Sequence, residues 1–459
     1  MKKMIALLLA AMLLLSLAAC ASTADPAPAA DAAPAETTET TPAAEEAPAA
    51  ETDAEAPITL TYWLPCNDLE DGAAEQKGTI AAARAFMEKY PNITLDLVPI
   101  GGNSDDYNAK FQMGASANNL PDLMNTSYGW VKQWACTGVI MQLDDIVAEI
   151  GSNYKTDALD FANEAVDGYW AIPYMAEVQG WAYNTEILGK YGLEVPTTFD
   201  EFINVCNVLT ENGERAISHG ATDIWAIWGY HALFCQYGVD KALCEKLSAK
   251  EEDFYTCEPF RKTLARIQEI AETGAYGDAV SYTSDAEAKA AFINGDAAMY
   301  CFATSFVSEL DASEHADKFV FNFGPQFSDS IHDQTVGLRT YGWNCYVGSC
   351  VENDPAKLEA VKLWLNFLTS GEGTEALWSA GTIPATDLSY VDRSTLDPFM
   401  ATIFDAIASD AYSVPDLCQA WFDASVKAPY RNAVTAIITG ATDIDGAMQF
   451  VADWQASIG

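Results

Sequence analysis

The carboxylates, thiols and imidazoles of this chain are the groups that could do chemistry. Asp and Glu together number 66. Glycoside hydrolysis needs two carboxyl groups about 5–10 Å apart, and so many acids could supply them, yet no local pattern singles out a pair. No G-x-S-x-G elbow and no H-E-x-x-H helix occurs, so neither a serine nucleophile nor a zinc-bound water is signalled. A Walker A loop is missing too, so ATP would be used by a partner. The four His are scattered and no CxxC pair occurs, so neither a metal site nor a cofactor is expected. Of the eleven cysteines, Cys345 and Cys350 could meet across a tight turn, and Cys235 and Cys244 are also near in sequence. Cys206, within Phe202-Ile203-Asn204-Val205-Cys206, reads instead as a small buried hydrophobe.

One further cysteine, Cys20, has the most specific surroundings. Lys2 and Lys3 precede an apolar run from Ile5 to Leu17, and Leu17-Ala18-Ala19-Cys20 closes it. This is the pattern of a secretory signal peptide, and its end resembles a bacterial lipobox, at which the cysteine receives lipid and becomes the mature N-terminus. The run is too short for a permanent membrane span. Residues 21–57 are almost all Ala, Pro, Thr, Ser, Glu and Asp, with nine carboxylates and no aromatic or basic residue. Such a segment cannot bury enough apolar surface to offset its ordering entropy. A disordered, acidic linker behind a tethered N-terminus is expected.

The 402 residues from 58 to 459 exceed one ordinary core and point to two lobes. Half the chain is apolar and 11% is aromatic, so this part is globular. The net charge of −42 argues against nucleic acid and anionic lipid as partners. A monomer is expected.

The elements that must position any site follow from periodicity. Ile58–Trp63 alternates as a strand. Thr79–Tyr90 has helical spacing and stops at Pro91-Asn92, and Ile93–Val98 is the next strand. This β-α-β unit predicts an α/β fold with a mainly parallel sheet. Strands are also read at Leu120–Met124, Gly168–Pro173, Gly180–Asn184 and Ala297–Phe302. Thr198 with Glu201 forms a capping box opening one helix, and Asp354 with Pro355 opens another.

Four stretches in order then carry a resemblance. They are Phe86-Met87-Glu88-Lys89-Tyr90-Pro91-Asn92-Ile93; Leu120-Pro121-Asp122-Leu123; Ile172-Pro173 through Tyr183-Asn184 to Pro196-Thr197-Thr198-Phe199-Asp200-Glu201-Phe202; and Ala291-Phe292-Ile293-Asn294-Gly295-Asp296-Ala297-Ala298-Met299. The chain resembles the extracellular solute-binding proteins of ABC sugar importers, the family that includes maltose-binding protein. The resemblance implies a two-lobed, periplasmic-binding-protein-like fold of type II, with the ligand in a cleft between lobes. It places residues 58–175 and 325–383 in one lobe, and 176–324 and 384–459 in the other.

The resemblance also nominates ligand-binding residues. Sugar rings present C–H faces to aromatic side chains and hydroxyls to planar polar groups, so aromatics in a concave site with few polar groups are sought. Trp130 and Tyr128 follow a strand end, where open α/β sheets bind ligands. Glu177 matches a glutamate that binds ligand hydroxyls in maltose-binding protein, and Tyr174 lies beside it. Asn67 and Asp68 follow the first strand. Trp228, near Trp225, lies in the second lobe. Thr304 and Ser305 follow the Ala297–Phe302 strand, where the family often has Gly-x-Trp and this chain has Ala303-Thr304-Ser305-Phe306. Trp343 precedes a further strand. Arg339 could pair with a ligand carboxylate, or simply offset nearby acids.

The expectation is a binding protein without catalysis, lipid-anchored through Cys20 on the extracellular face of the bacterial cytoplasmic membrane. It would capture a carbohydrate and deliver it to a membrane permease coupled to a separate ATPase. A polyol, sugar phosphate or polyamine is an alternative ligand, and a carbohydrate-active hydrolase is the alternative of a different class.

Overall fold

The structure is a computed structural model and describes residues 56–70, 74–101, 104–117, 119–154 and 157–457. Cys20 and the segment before Ala56 lie outside the described residues. Strand β1 (Ile58–Leu64) is followed by the helix Ala74–Lys89 and β2 (Ile93–Pro99), which pairs parallel with β1. This is the β-α-β unit read from the sequence, with the helix starting five residues earlier than its apolar spacing indicates. Strand β3 (Leu123–Ser127) lies on the other side of β1, also parallel.

Strand β4 runs unbroken from Ile172 to Asn184. The sequence suggests two short strands there, because Tyr174–Gln179 lacks clean alternation. Pairing with β8 (Val336–Val347) holds the middle extended instead, since strand formation answers to neighbours more than to local preference. Irregular register at Pro173, Met175 and Glu177 marks bulges in that middle, which bend and twist a strand locally. The sheet continues through β5 (Ile217–Ser218), β6 (Met299–Ala303), β7 (Phe319–Asn322) and β9 (Tyr412–Val414). Its order is β2-β1-β3-β8-β4-β6-β5, with β7 on β4 and β9 on β8.

The long strands β4 and β8 therefore belong to both ends of the molecule. Trp343, Asn344 and Cys345 pair with β3 on one side and with the Ile172 end of β4 on the other. Leu338, Arg339 and Thr340 pair with Glu177–Gln179, next to β6. A third segment crosses beside them: Ala176 N–H donates to the Ile383 carbonyl at 2.8 Å, and Ala385 N–H to the Tyr174 carbonyl at 3.1 Å.

Two large cores pack on this crossing, and the first extends across it to Phe302, Phe319 and Phe399. The first gathers Leu60, Tyr62, Phe86, Trp364 and Ile383. The second gathers Trp181, Tyr183, Phe202, Tyr230, Ile267 and Val434. Phe327, Val336 and Leu338 pack in the second core. A smaller cluster around Phe111, Trp134 and Tyr346 lies under β3. Both capping motifs read from the sequence are present, at Thr198/Glu201 and at Asp354. The ten cysteines from Cys66 to Cys418 are free thiols, so neither Cys345/Cys350 nor Cys235/Cys244 is a disulfide.

Candidate ligand-binding cleft

The crossing of β4 and β8 sets the first polar groups of the site. Side chains alternate along a strand, so Glu177, Gln179 and Trp181 share one face of β4. Gln179 Nε2 donates to Glu177 Oε1 at 2.5 Å. Thr340 sits opposite Glu177 in the register. Gln179 Oε1 and Thr340 Oγ1 are buried and find no protein partner among the described residues. Buried polar atoms are nearly always paired, so these two mark where a polar ligand or water would be received.

The helix Trp228–Cys235 covers the same face. Gly229 allows the close approach: its N–H donates to Cys301 Sγ at 2.9 Å, and a Cβ there would stand 2.9 Å from Trp181 Nε1. This seats Trp228 at the edge of the crossing. Its ring lies 5.1 Å from Trp225 and 5.6 Å from Phe306. Trp225 is 39% exposed, and Trp228 and Phe306 are half-buried. Lys289 Nζ stands 3.9 Å over the Phe306 ring and is held by Glu309 at 2.8 Å. Three partly open rings thus form one apolar strip in the second lobe. The sequence had marked Ala303–Phe306 for lacking the expected tryptophan. Phe306 supplies an aromatic ring there nonetheless.

The first-lobe wall comes from β3 and β8. Trp343 is half-buried opposite Ser127, whose carbonyl accepts from Tyr346 Oη at 3.1 Å. Trp130 ends the short turn after β3 and is half-buried against the cluster of Trp134. The side chain of Tyr128 lies outside the described residues. Asn67 and Asp68 are exposed beyond β1, and Asp68 Oδ1 accepts from Glu70 N–H at 2.9 Å. Ser305 is half-buried beside Phe306.

Two nominated residues face inward instead. Tyr174 is fully buried in the first core, with Gln76 Nε2 donating to its hydroxyl at 3.4 Å. Asn125 Nδ2 donates to Gln76 Oε1 at 3.0 Å and to Thr79 Oγ1 at 3.1 Å, and Tyr62 Oη donates to Asn125 Oδ1 at 2.6 Å. Tyr174 therefore belongs to a buried polar network beneath the crossing. Thr304 is buried as well, and its Oγ1 accepts from Val178 N–H at 2.9 Å, tying β6 to β4. Arg339 donates to the Ile407 carbonyl, which favours its structural reading.

A cavity of about 550 Å³ opens between the lobes. Gly129, Lys132 and Phe161 line one side, and Trp421, Phe422 and Lys427 the other. Lys241 of the second lobe bonds Glu164 of the first at 2.7 Å nearby. Burial lowers the pKa of Lys427. The sequence reading missed this wall, because nothing local links residues 421–427 to residues 129–161. A larger cavity of about 640 Å³ sits between the ends of the helices Glu258–Glu272 and Ala424–Ile438. Neither cavity is lined by Glu177, Gln179, Trp228 or Thr340; the smaller one lies next to Trp130, between its lining residues Gly129 and Val131.

The mixed α/β fold is that of the periplasmic binding proteins. The family model described as "Bacterial extracellular solute-binding protein" matches residues 67–375, more than half of the chain, and the chain belongs to that family. The melibiose/raffinose/stachyose-binding protein MelE of Bacillus subtilis is 30% identical over 161 residues, covering 34% of each chain. The maltotriose-binding protein of Pyrococcus abyssi is 23% identical over 133 residues, 28% of each. The matched stretch thus spans about a third of the length of these curated relatives. Among solved structures, a chitin oligosaccharide binding protein superposes with a TM-score of 0.71 at 20% identity, over 87% of this chain and 98% of that one. Maltose-bound MalE3 of T. maritima gives 0.65 at 17% identity, over 87% and 99%. At such identity these two show the fold.

Proposed function

We propose that the protein captures a sugar or oligosaccharide in the cleft and delivers it to the permease of an ABC importer. The observation that carries this reading is the pairing of an aromatic strip with an amide–carboxylate pair. Trp225, Trp228 and Phe306 offer flat apolar faces, and Glu177 with Gln179 offers planar polar groups at the strand crossing. Sugars demand that combination. The names of the relatives, which are binders of melibiose, raffinose, stachyose and maltotriose, support the ligand class. A polyamine would want several carboxylates around an aromatic box, which the crossing does not present.

In this reading the protein binds and does no chemistry. Closure turns one lobe against the other about the bulged middles of β4 and β8, a hinge motion. The lobe bounds read from the resemblance are 58–175 with 325–383, and 176–324 with 384–459; Phe327, Val336 and Leu338 pack in the second core, so the second boundary falls later in this reading, inside β8. The lipid on Cys20 and the linker of residues 21–57 keep the binding domain beside its permease on the extracellular face of the membrane. The protein acts as a monomer.

Thermal unfolding against a glycan panel tests the ligand class, because a ligand that binds only the folded state raises stability by mass action. A rise in Tm with an α-galactoside or a maltodextrin is expected. A rise with a polyamine and with no sugar would reverse the assignment. Release of reducing sugar from any glycan would show a hydrolase.

A further inference from the structure

The helix that carries Trp228 also carries His231, which makes a second, buried contact. His231, Asp416 and Cys418 offer one ligand atom each, all within 4.8 Å of one another, and all three residues are buried. His231 is fully buried. Neither of its ring nitrogens is hydrogen-bonded among the described residues. Nδ1 stands 3.4 Å from Asp416 Oδ1, outside hydrogen-bond geometry, while that oxygen accepts the Cys418 N–H at 2.8 Å. Tyr430 Oη, next to the trio, is also buried without a partner among the described residues, while the Arg431 guanidinium hydrogen-bonds the Cys418 sulfur. Native proteins leave few such atoms unserved, and a group of them points to an ion or an ordered water.

We propose that His231, Asp416 and Cys418 form a buried site for one divalent zinc ion. Imidazole nitrogen, carboxylate oxygen and thiolate sulfur are the donor types zinc takes, and three protein donors leave its fourth position to water. Carboxylate and thiolate together supply two negative charges for a divalent cation. An imidazole must be neutral to offer its lone pair to the ion. A cysteine binds zinc as the thiolate, so binding displaces the thiol proton. Arg431 and Lys427 stand beside the trio. They favour the thiolate and oppose the ion, which limits the affinity. The ion would pin the helix Trp228–Cys235 to the chain at 416–418, and so fix the aromatic wall of the cleft. Nothing in the separation of residues 231 and 418 along the chain signals such a site.

The test uses the full-length protein, reduced and stripped of metal, titrated with zinc against a chromophoric chelator. A variant with Cys136→Ser and Cys350→Ser removes the two thiols that are exposed among the described residues and could bind zinc adventitiously. One equivalent of zinc is expected in both proteins, with a rise in Tm. Cobalt(II) should give a thiolate-to-cobalt charge-transfer band. His231→Gln and Cys418→Ala should each weaken binding by more than the roughly 10- to 100-fold cost of altering an outer-shell group. If either variant fails to fold, the cobalt spectrum of the protein with intact ligands decides. Zinc that disappears with Cys136 and Cys350, or a cobalt complex without the thiolate band, would overturn the site and leave water as what the orphaned atoms receive.

Discussion

Gln179 donates its side-chain amide to the Glu177 carboxylate from two residues further along the same strand, at 2.5 Å. The bond aims the carboxylate along the face of β4 that the helix Trp228–Cys235 covers. It also spends one amide proton locally, while Gln179 Oε1 stays buried without a protein partner. A carboxylate and an amide oxygen side by side at the crossing can accept hydroxyl protons from one sugar ring.

Removing that carboxylate is the most direct test of the cleft. Glu177→Ala should cost about 1.5–3 kcal/mol of binding, the range for hydrogen bonds to charged groups, which is roughly 10- to 100-fold in Kd. Titration calorimetry with the sugar found in the thermal screen reads this. An unchanged Kd would remove Glu177 from the site.

The aromatic strip should contribute through contact area. Trp225→Ala is expected to weaken the same sugar by about 0.5–1.5 kcal/mol, the scale of one aromatic contact, with Tm unchanged because the ring is partly open. Trp130→Ala probes the opposite wall and should also weaken binding. If both affinities stay at the parent value, the ligand lies elsewhere in the cleft.

The network beneath the crossing should show itself in stability rather than affinity. Asn125 serves Tyr62, Gln76 and Thr79 at once. Asn125→Leu strands their buried groups, each at about 1–3 kcal/mol. Urea unfolding should report a large loss. A midpoint within error of the parent would mean that water replaces the network.

Acid should destabilise the fold through His219. It is buried beneath Tyr230 and Tyr276, and burial, aided by Arg215, lowers its pKa to about 4. The unfolded chain takes up the proton near pH 6.5 and the folded chain resists it. Stability is therefore fully present above about pH 6.5 and is lost as pH falls towards 4, at about 1.4 kcal/mol per pH unit. His219→Phe should flatten that part of the profile in urea unfolding followed from pH 7 to pH 4.5. An equal slope in parent and variant would assign the acid sensitivity to other groups.

The pair Lys241–Glu164 joins the two lobes at 2.7 Å, with both side chains partly exposed. Exposed pairs contribute about 0–1 kcal/mol. Lys241→Ala should shift the closed population modestly, and more at low salt. Small-angle scattering without ligand would show a slightly larger radius of gyration. A radius unchanged at low salt would mean that the pair does not bias closure.

Local physics left several things legible in the chain itself. Hydrophobic spacing and the capping chemistry at Thr198 and Asp354 depend on a few neighbouring residues, so the first β-α-β unit and two helix starts could be read directly. The order of four motifs pointed to the family. Tertiary structure decided what those residues then touch. Tyr174 and Glu177 sit three apart on one strand, so alternation turns them to opposite faces, but packing decides that one face meets a buried network and the other lies half-exposed at the crossing. Phe306 joins Trp225 and Trp228, and Trp421 and Lys427 face Phe161, across separations that no sequence period encodes. His231, Asp416 and Cys418 meet in the same way. Periodicity reports which face of an element is apolar, because backbone geometry repeats over a few residues. Which faces meet depends on how β4 and β8 cross and on the helices they carry, and that is set by packing of the whole chain.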